Sequence, residues 1–502
     1  MRGITGSARS LPLCVLVGLV WLLAFIHAGP RGDGGEYLLE THALATHGTP
    51  DIRVSDAEWL AASEPTYRTF ARHLSYGLRR GELVPVAAIR RSERGAYYSL
   101  HFWFYSLLAV PALWLSEALG AEPSVALVLV NALAGSIAVV ALWLHFERRL
   151  FALAAATVFV VTGTALYLGW TGPEALTGAA VVCSCIAASR GKLGVGCLAA
   201  ALAATQNAAA LALVPFVAAR CRLRHARPDR QDALLAALAL ALALLPYAFF
   251  YAAFRIPSLL AHFATDPRLI SFERAWSFFF DLNQGLLYGM PGVLFACVAA
   301  ASLALTATKT SARMLIAREV ALSVLLVTAM MVPALAVHNW NAGCSVLIRY
   351  GYWIALPLLV LALELTQASL GESRRGWFVL GVTLALGFGV MVSNGVTGER
   401  YGYLRHTWLA EFVLHHAPGA YNPVPEIFSE RTLGAERPPR DPLPVLWPRR
   451  GTPMKLLVPE DEPARSERLC PDGGNAASDH VHVASGGWLY LDAPFRCVPS
   501  AS

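Results

Sequence analysis

Residues 124–146 have the sequence SVALVLVNALAGSIAVVALWLHF, and the basic pair Arg148-Arg149 follows two residues later. A run of about 20 apolar residues is long enough to cross the hydrocarbon core of a bilayer as a helix. Short loops rich in Lys and Arg stay in the cytoplasm. This stretch therefore predicts a transmembrane helix whose carboxyl end faces the cytoplasm.

The composition of the whole chain agrees with a membrane protein. Of its 502 residues 56% are hydrophobic and only 15% are charged, whereas soluble domains carry about 25% charged residues. The net charge of +6 comes from short basic clusters between apolar runs. That pattern sets membrane orientation and argues against nucleic-acid binding.

Several more apolar runs alternate with basic clusters and predict further spans. The runs lie near 151–170, 174–189, 193–219, 233–254, 286–307, 319–339, 350–369 and 377–393. The clusters are Arg148-Arg149, Arg190 with Lys192, Arg220 to Arg230, Lys309 to Arg318 and Arg374-Arg375. All five basic clusters lie in the cytoplasm if the segment 193–219 enters the membrane and returns to the same side. It would do so as two short helices, with a polar break at Thr205-Gln206-Asn207. With Leu11 to Ala28 as a first span the total is about eleven. That span is expected to be retained, because Ala28-Gly29-Pro30 is a poor cleavage site.

This orientation divides the chain into two predicted domains. Residues 1–394 form an α-helical transmembrane domain whose first outer loop covers 29–123. Residues 395–502 form an outer proline-rich linker and a small β-rich domain. Cys470 and Cys497 lie in that outer tail, where a disulfide would stabilise a domain too small for a large core.

The first outer loop carries helical patterns of its own. One helix is expected from Glu36 to Ala45, ended by Gly48, and a second from about Ser63 to Arg80, ended by Gly81. Leu100 to Leu119 is also apolar and about 20 residues long. We expect it to lie in the outer interface or to dip in and return, because a crossing would move Arg148-Arg149 outside.

An acidic cluster, Gly32-Asp33-Gly34-Gly35-Glu36-Tyr37, stands just past the first span. A carboxylate here could deprotonate an acceptor hydroxyl, which is the work of a general base. Gly34 and Gly35 would leave room for a bulky substrate beside the backbone. The alternative is that Asp33 and Glu36 are solvated and inert, as acidic residues near a membrane exit often are.

Other candidate residues lie at the predicted outer ends of spans. His101 opens the apolar segment and could donate to a phosphate, although a His among aromatic residues is often only packed. Glu174 follows Gly172-Pro173 and would face the same outer cavity, although a glutamate there is also an ordinary helix start. Arg349, in the stretch from Asn341 to Tyr350, suits a phosphate; the alternative is contact with lipid headgroups.

Together these motifs resemble the C-type (GT-C) membrane glycosyltransferases, in the superfamily of protein mannosyltransferases and aminoarabinose transferases. The resemblance covers roughly residues 10–400. It rests on Asp33-x-x-x-Tyr37, on Tyr98-Ser99-Leu100-His101-Phe102, on Gly172-Pro173-Glu174 and on Arg349-Tyr350. It implies that Asp33, with Glu36 beside it, is the catalytic base. It also implies that His101, Arg349 and Tyr350 bind the donor phosphate, and that Tyr37, Glu174 and Asn341 line the substrate cavity. The chain departs from many relatives, with Asp33-Gly34 in place of Asp-Glu and Phe102-Trp103 in place of Pro-Pro.

The expected function is transfer of a sugar from a polyprenyl-phosphate carrier to a glycan, lipid or protein acceptor outside the cytoplasm, with inversion. The expected location is a bacterial inner membrane with a periplasmic active face and lipid contacts all around. No cofactor is predicted, and the metal requirement stays open. A flippase for a lipid-linked glycan or a non-catalytic envelope assembly subunit would share the same surface features. A transporter should show ionisable residues deep within several spans and two similar halves, and the sequence shows neither.

Overall fold

The computed structural model describes residues 7–26, 32–81, 88–224, 228–305, 310–344, 346–370, 374–395, 402–436, 444–448, 450–461, 469–472 and 474–499. The Ala28-Gly29-Pro30 boundary lies outside these residues, and so do Pro438, Pro439 and Pro442 of the linker. The retained first span and the course of that linker therefore stay predictions.

Most apolar runs of the sequence form helices. The helices are α1 Ser7–Ile26, α2 Gly34–His47, α3 Val54–Ser63, α4 Arg68–Arg80, α5 Phe104–Ala118, α6 Ser124–His145, α7 Arg149–Phe159, α8 Ala165–Leu168, α9 Glu174–Ser189, α10 Leu193–Gln206, α11 Leu213–Leu223, α12 Arg230–Phe254, α13 Leu259–Phe263, α14 Phe272–Phe280, α15 Leu286–Gly289, α16 Pro291–Leu305, α17 Thr310–Leu335, α18 Arg349–Leu370, α19 Arg374–Asn394, α20 Trp408–His416 and α21 Pro425–Leu433. The strands are β1 Ile89–Arg91, β2 Tyr97–Ser99, β3 Gly343–Cys344, β4 Leu347–Ile348, β5 Val445–Trp447, β6 Lys455–Pro459, β7 Asn475–Ala484 and β8 Trp488–Val498.

Six helices of the described chain are long and apolar enough to cross a membrane. They cover Val125–His145, Arg149–Leu168, Arg230–Phe254, Arg313–Leu335, Arg349–Ala368 and Arg374–Asn394. Shorter apolar helices cover Leu11–Ile26, Phe104–Ala118, Glu174–Ser189, Leu193–Gln206 and Pro291–Ser302. The predicted class, an α-rich membrane protein with a small C-terminal sheet, is confirmed.

The chain forms two units. The first comprises 1–265, 292–333 and 352–391, and the second comprises 266–291, 334–351 and 392–502. The last segment of the second unit begins at 392, close to the boundary predicted at 394/395. The second unit also takes in 266–291 and 334–351, which the prediction had placed in the transmembrane domain 1–394.

Small residues let the helices of the first unit pack closely. Gly178 of α9 faces Tyr352 of α18, and a Cβ added there would lie 2.5 Å from the phenol oxygen. Gly194 at the start of α10 faces Leu235 of α12 in the same way, at 2.6 Å from its Cβ. Close approach through Gly and Ala is how helices associate in a bilayer, where apolar surface gives no driving force between helices.

A buried ion network joins five helix ends in the first unit. Arg220 of α11 donates from Nε to Glu319 of α17 (2.8 Å) and from Nη2 to Glu364 of α18 (2.5 Å). Glu364 also accepts from Ser189 at the end of α9 and lies 3.0 Å from His145 Nε2 at the end of α6. These helix ends therefore lie together. Each is next to one of the basic clusters of the sequence.

The predicted break in 193–219 is confirmed. Helix α10 ends at Gln206, Asn207 is extended (φ −129°, ψ 104°), and a short 3₁₀ turn leads into α11. The Asn207 amide donates to Thr177 Oγ1 of α9 (2.8 Å). Both partners are side chains, so this hydrogen bond gives the Asn207 amide a polar partner among apolar neighbours and ties the break to α9.

The second unit is built around an antiparallel sheet of four strands in the order β5-β6-β8-β7. Helices α20 and α21 cover one side of its core, where Leu414, Phe428, Leu457 and Tyr490 are buried. The Tyr490 hydroxyl donates to the Pro423 carbonyl (2.7 Å). At the other end of the sheet the structure joins Cys470 to Cys497 in a disulfide.

Candidate functional site: a carboxylate–imidazole cluster in the first unit

The acidic cluster lies at the amino end of α2. Asp33 is the N-cap residue, and its carbonyl oxygen accepts the backbone N–H groups of Glu36 (3.0 Å) and Tyr37 (3.3 Å). Helix α2 ends at Gly48, whose φ of +71° favours glycine, as the sequence predicts. Because the positive end of the helix dipole points at Asp33 and Glu36, it favours their charged forms.

A short hairpin brings the third member of the cluster. Strands β1 and β2 pair antiparallel with Ile89 opposite Ser99, so the chain leaves β2 beside α2. The Ser99 hydroxyl donates to Glu36 Oε2 (3.3 Å) and accepts the backbone N–H of His101 (3.0 Å). This serine therefore fixes the His101 backbone next to the Glu36 carboxylate.

His101 Nε2 lies 3.5 Å from Asp33 Oδ2 and 3.5 Å from Glu36 Oε2. The side chains of Asp33, Glu36 and His101 are 31%, 12% and 16% exposed, respectively. Asp33 is thus the member most open to solvent. Both predicted acids and the predicted histidine converge on one point, and a molecule arriving from outside would meet Asp33 first.

Aromatic and polar contacts hold α2 against α5 beneath this cluster. The Tyr37 ring lies 5.0 Å from the His101 ring and meets the Tyr105 ring edge-on at 5.2 Å. The Ser106 hydroxyl contacts the Tyr37 carbonyl (3.2 Å) and Glu40 Oε2 (3.1 Å). Tyr37 is almost fully buried, so it supports the cluster from inside the protein.

Glu40 lies one helical turn after Glu36 and is fully buried. Burial raises the pKa of the Glu40 carboxyl well above its usual range, and the hydrogen bond with Ser106 only partly opposes this effect. The two glutamates of one helix face therefore differ in their surroundings, since Glu36 is partly exposed and Glu40 is buried.

The glycines of the cluster contact protein side chains, and the sequence-based interpretation of them is wrong. A Cβ at Gly34 would collide with the Thr171 hydroxyl and would lie 2.6 Å from the Tyr67 hydroxyl. A Cβ at Gly35 would lie 3.1 Å from the Tyr67 ring. Thr171 and Tyr67 therefore occupy the space that was expected to admit substrate. The glycines are required because α2 meets these two side chains closely.

The carboxylates of the site affect the pKa of the nearby Tyr67 phenol. Burial raises the pKa of the Tyr67 phenol, and the nearby Asp33 and Glu36 carboxylates raise it further, while a hydrogen bond with Thr171 lowers it. The phenol therefore keeps its proton and remains a hydrogen-bond donor. The sequence held no signal for Tyr67, because it comes from the short turn between α3 and α4.

Glu174 is buried at the first turn of α9. A Cβ at Gly172 would lie 2.6 Å from Glu174 Oε2, so the side chain folds back over its own turn. Asn131 of α6 fixes that turn by donating to the carbonyls of Trp170 (2.6 Å) and Gly172 (3.1 Å). Trp170, at the start of this turn, reaches the acidic cluster, since a Cβ at Gly32 would lie 2.8 Å from its ring.

An apolar groove opens beside His101. Phe102, Pro246, Tyr247 and Phe250 line it together with Gln206 at the break after α10. The Gln206 amide lies 3.4 Å from the Phe102 carbonyl and holds the two sides of the groove together. The cavity is small, about 40 Å³, so it places apolar side chains beside His101 but does not hold a hydrocarbon chain as it stands.

The second unit contains the other predicted residues, and there Asn341 lies inside a buried polar network. Its amide nitrogen donates to the Tyr403 carbonyl and to Glu430 Oε2, both at 2.9 Å. Its carbonyl oxygen accepts from Arg431 Nε (2.8 Å), and its backbone N–H donates to Glu426 (2.9 Å). Asn341 is fully buried, so these contacts give it a structural position.

The same network continues to the loop after α14. Asp281 Oδ1 accepts the backbone N–H groups of Asn283 (2.8 Å) and Gln284 (3.1 Å), and Oδ2 accepts the Tyr421 hydroxyl (2.9 Å). Burial raises the pKa of Asp281. Asp281 directly follows α14, and these two hydrogen bonds close the turn after the helix. The Tyr421 contact, 140 residues away, was not predicted.

Arg349 and Tyr350 open α18, directly after β4. The Arg349 guanidinium lies over the Tyr350 ring, with 5.2 Å from Cζ to the ring centroid. Both side chains are half-buried.

The carboxylate–imidazole cluster also has the composition of a metal site. Asp33, Glu36 and His101 each offer one ligand atom, and these atoms lie within 4.8 Å of one another. Two carboxylates and one imidazole suit several divalent cations. The same three groups serve equally well as an acid–base set, since an imidazole beside two carboxylates can move a proton.

Comparison of the chain with protein-family models and with curated proteins found no match.

Proposed function

We propose that this protein is a membrane glycosyltransferase that takes a sugar from a polyprenyl-phosphate carrier and transfers it, with inversion, to an extracytoplasmic glycan, lipid or protein. It would act in a bacterial inner membrane with its active face in the periplasm. About eleven spans would keep every basic cluster in the cytoplasm.

The ion network of the first unit supports this orientation. Arg220, Glu319, Glu364 and His145 bring together helix ends that neighbour all five basic clusters. In addition, Asp232 at the start of α12 accepts the backbone N–H of Gly194 at the start of α10 (2.9 Å). Helix α10 thus begins near the chain that follows α11, as expected if 193–219 enters and leaves from one side.

The observation that carries the proposed activity is the convergence of Asp33, Glu36 and His101 beside an apolar groove. A lipid-linked substrate needs a polar reaction centre next to a hydrocarbon path. Asp33 is open, Glu36 and His101 are partly covered, and Phe102 and Phe250 begin the apolar walls. A solvated and inert acidic cluster would not require this arrangement.

The proposed step is a displacement at the sugar's anomeric carbon. Asp33 accepts the proton of the acceptor hydroxyl as that oxygen forms the new bond to the anomeric carbon. The bond from that carbon to the carrier's phosphate oxygen breaks, and its electron pair leaves with the phosphate. His101, 3.5 Å from each carboxylate, would bind the departing phosphate, which is the role that the resemblance implies for it. Attack opposite the leaving group inverts the anomeric configuration.

The proposal that Arg349 and Tyr350 bind the donor phosphate rests on the sequence pattern and on the stacking of these two side chains. A charge-assisted hydrogen bond to phosphate contributes about 1.5–3 kcal/mol, which corresponds to roughly 10–100-fold in affinity. Arg349→Ala should raise the KM for the donor by that factor and change kcat little. Arg349→Lys keeps the charge but loses the forked pair of N–H donors. Its KM for the donor should therefore lie between those of wild type and Arg349→Ala.

The deciding experiment measures lipid-linked sugars by mass spectrometry in cells that lack the protein. The donor should accumulate, and its mass identifies the sugar. Wild-type protein supplied in trans should remove the accumulated donor, and Asp33→Asn at equal abundance should not. If Asp33→Asn removes it as wild type does, and Glu36→Gln does too, the protein is a flippase or an assembly subunit.

A further inference from the structure

A second groove of the first unit lies between α11 and α17, far along the sequence from the acidic cluster. Its walls are apolar side chains that include Leu223 of α11 and Leu315 and Leu322 of α17. Leu315 is 41% exposed, although α17 carries the candidate span Arg313–Leu335. Lipid or another apolar molecule must cover such a surface.

Three arginines border the same groove: Arg222, Arg224 and Arg318. Arg224 donates to Glu319 Oε1 (2.9 Å), while Glu319 Oε2 is already taken by Arg220. Arg224 also lies 3.8 Å from Glu364, which binds Arg220 as well, so Glu319 and Glu364 balance Arg220 and Arg224 and the surplus charge comes from Arg222 and Arg318.

Arg222 and Arg318 are exposed, and neither makes a hydrogen bond or an ion pair with any residue in the described part of the chain. The groove thus has apolar walls and a surplus of positive charge at one edge. Positive charge and exposed leucines together are complementary to a molecule with an anionic head and hydrocarbon chains.

We propose that this groove binds an anionic phospholipid of the surrounding bilayer. Arg222 and Arg318 would hold the headgroup phosphate through charge-assisted hydrogen bonds, and the acyl chains would lie along Leu223, Leu315 and Leu322. Basic pockets between membrane helices commonly take such lipids on the cytoplasmic side, which is where these arginines are predicted to lie. A free phosphate would explain the charge but not the apolar walls.

The proposal does not depend on the glycosyltransferase activity, and its test is a binding measurement. The full-length protein is purified in a mild detergent, and binding of phosphatidylglycerol and of phosphatidylcholine is followed by native mass spectrometry at one ionic strength. The test variant is Arg222→Gln with Arg318→Gln. The control is Arg149→Gln with Arg230→Gln, which removes the same charge from exposed arginines outside the groove.

We expect wild-type protein and the control to bind phosphatidylglycerol more tightly than phosphatidylcholine. Each arginine near a headgroup contributes roughly 5-fold in affinity, so the test variant should lose about 30-fold for phosphatidylglycerol. Binding of phosphatidylcholine should change little.

Four outcomes would overturn the proposal. One is equal affinity for the two lipids in wild-type protein. Another is an equal loss in test and control variants, which would mean that only total charge matters. The third is a dimer peak in wild type that the test variant alone abolishes, which would assign the groove to a second copy of the chain. Competition by inorganic phosphate at millimolar concentration would indicate an anion site and would also count against a lipid.

Discussion

Two polar clusters of this protein both contain carboxylates and differ in how far those carboxylates are exposed to solvent. In the first unit, Asp33 and Glu36 lie 3.5 Å from His101 and remain partly open to solvent. In the second unit, Asn341 and Asp281 are buried and make hydrogen bonds of 2.8–3.1 Å. The comparison concerns each cluster within its own unit.

Because of this difference, we expect the exposed cluster to contribute to activity and the buried network to contribute to the stability of the fold. A buried polar group that has all its hydrogen bonds rigidifies the protein, and removal of one partner is costly because the other is left unsatisfied. An open group with long contacts contributes little to folding and can bind or move a proton. We therefore expect substitutions in the open cluster to affect activity, and those in the closed network to affect stability.

The largest effect should follow from Asp33→Asn. Removal of a positioned base typically costs about 10²–10⁴ in rate, so turnover should fall by that factor. The apparent melting temperature should stay within about 1 °C of wild type, because the Asp33 side chain is partly exposed and makes no capping hydrogen bond to α2, which bonds the Asp33 backbone carbonyl instead. Turnover is measured with the donor identified by mass spectrometry, and stability by scanning fluorimetry of the purified full-length protein.

The matched control is Glu58→Gln in α3, an exposed acid that is paired with Arg79. It should keep full turnover. Full activity of Asp33→Asn together with loss of activity in Glu36→Gln would move the base to Glu36. A large loss of stability in Asp33→Asn would end the distinction between an open and a closed cluster.

Much of the fold could be predicted from local sequence. The apolar run at 124–146, the stop at Gly48 and the break after Gln206 all depend on neighbours within a few residues. Local patterns also place Asp33 and Glu36 together, since Asp33 is the N-cap of a helix whose first turn contains Glu36. The predicted helix from about Ser63 was only partly right. Helix α4 begins at Arg68, after a 3₁₀ turn, because the chain first ends α3 at Ser63.

The remaining features depend on contacts between distant residues. His101 reaches Glu36 only because the β1–β2 hairpin places Ser99 there. Gly34 looks in sequence like an opening for substrate, but Tyr67 and Thr171 fill that space. Asp281 resembles Asp33 as a loop acid, and only the Tyr421 contact separates them. Spacing along one chain gives no information on such partners.

The next effect tests the closed network through Asn341→Ala. The substitution removes the partners of Arg431 and Glu430 and leaves buried polar atoms unsatisfied, which costs about 2–4 kcal/mol. For a unit of this size that is a fall of several degrees in apparent melting temperature. Asn475→Ala, at a half-buried position at the start of β7, is the matched control and should change the temperature little. An unchanged melting temperature in Asn341→Ala would show that the network is dispensable.

The smallest effect concerns the pH dependence of stability at Glu426, which begins α21 in the second unit. Burial raises the pKa of its carboxyl to about 8, and Glu430 adds to this effect, while the backbone N–H of Asn341 and the guanidinium of Arg274, 3.6 Å away, oppose it. A raised pKa means that the contribution of Glu426 to stability is complete below its unfolded value near 4.5 and is lost as the pH rises through 8.

Wild-type protein should therefore lose about 1–2 kcal/mol between pH 6.5 and pH 8.5 through this group, or a few degrees in apparent melting temperature. Burial lowers the pKa of His406 in the same unit to about 3, so its contribution is lost only as the pH falls below 6.5, outside this window. Glu426→Gln keeps an oxygen for the Asn341 N–H and removes the titration, so its melting temperature should vary less with pH. Glu411→Gln, at an exposed position of α20, should retain the wild-type slope. Equal slopes of melting temperature against pH in both variants would mean that the carboxyl of Glu426 does not titrate in this range. The second unit would then tolerate a buried carboxylate at Glu426 as readily as the first unit tolerates the exposed carboxylate of Asp33.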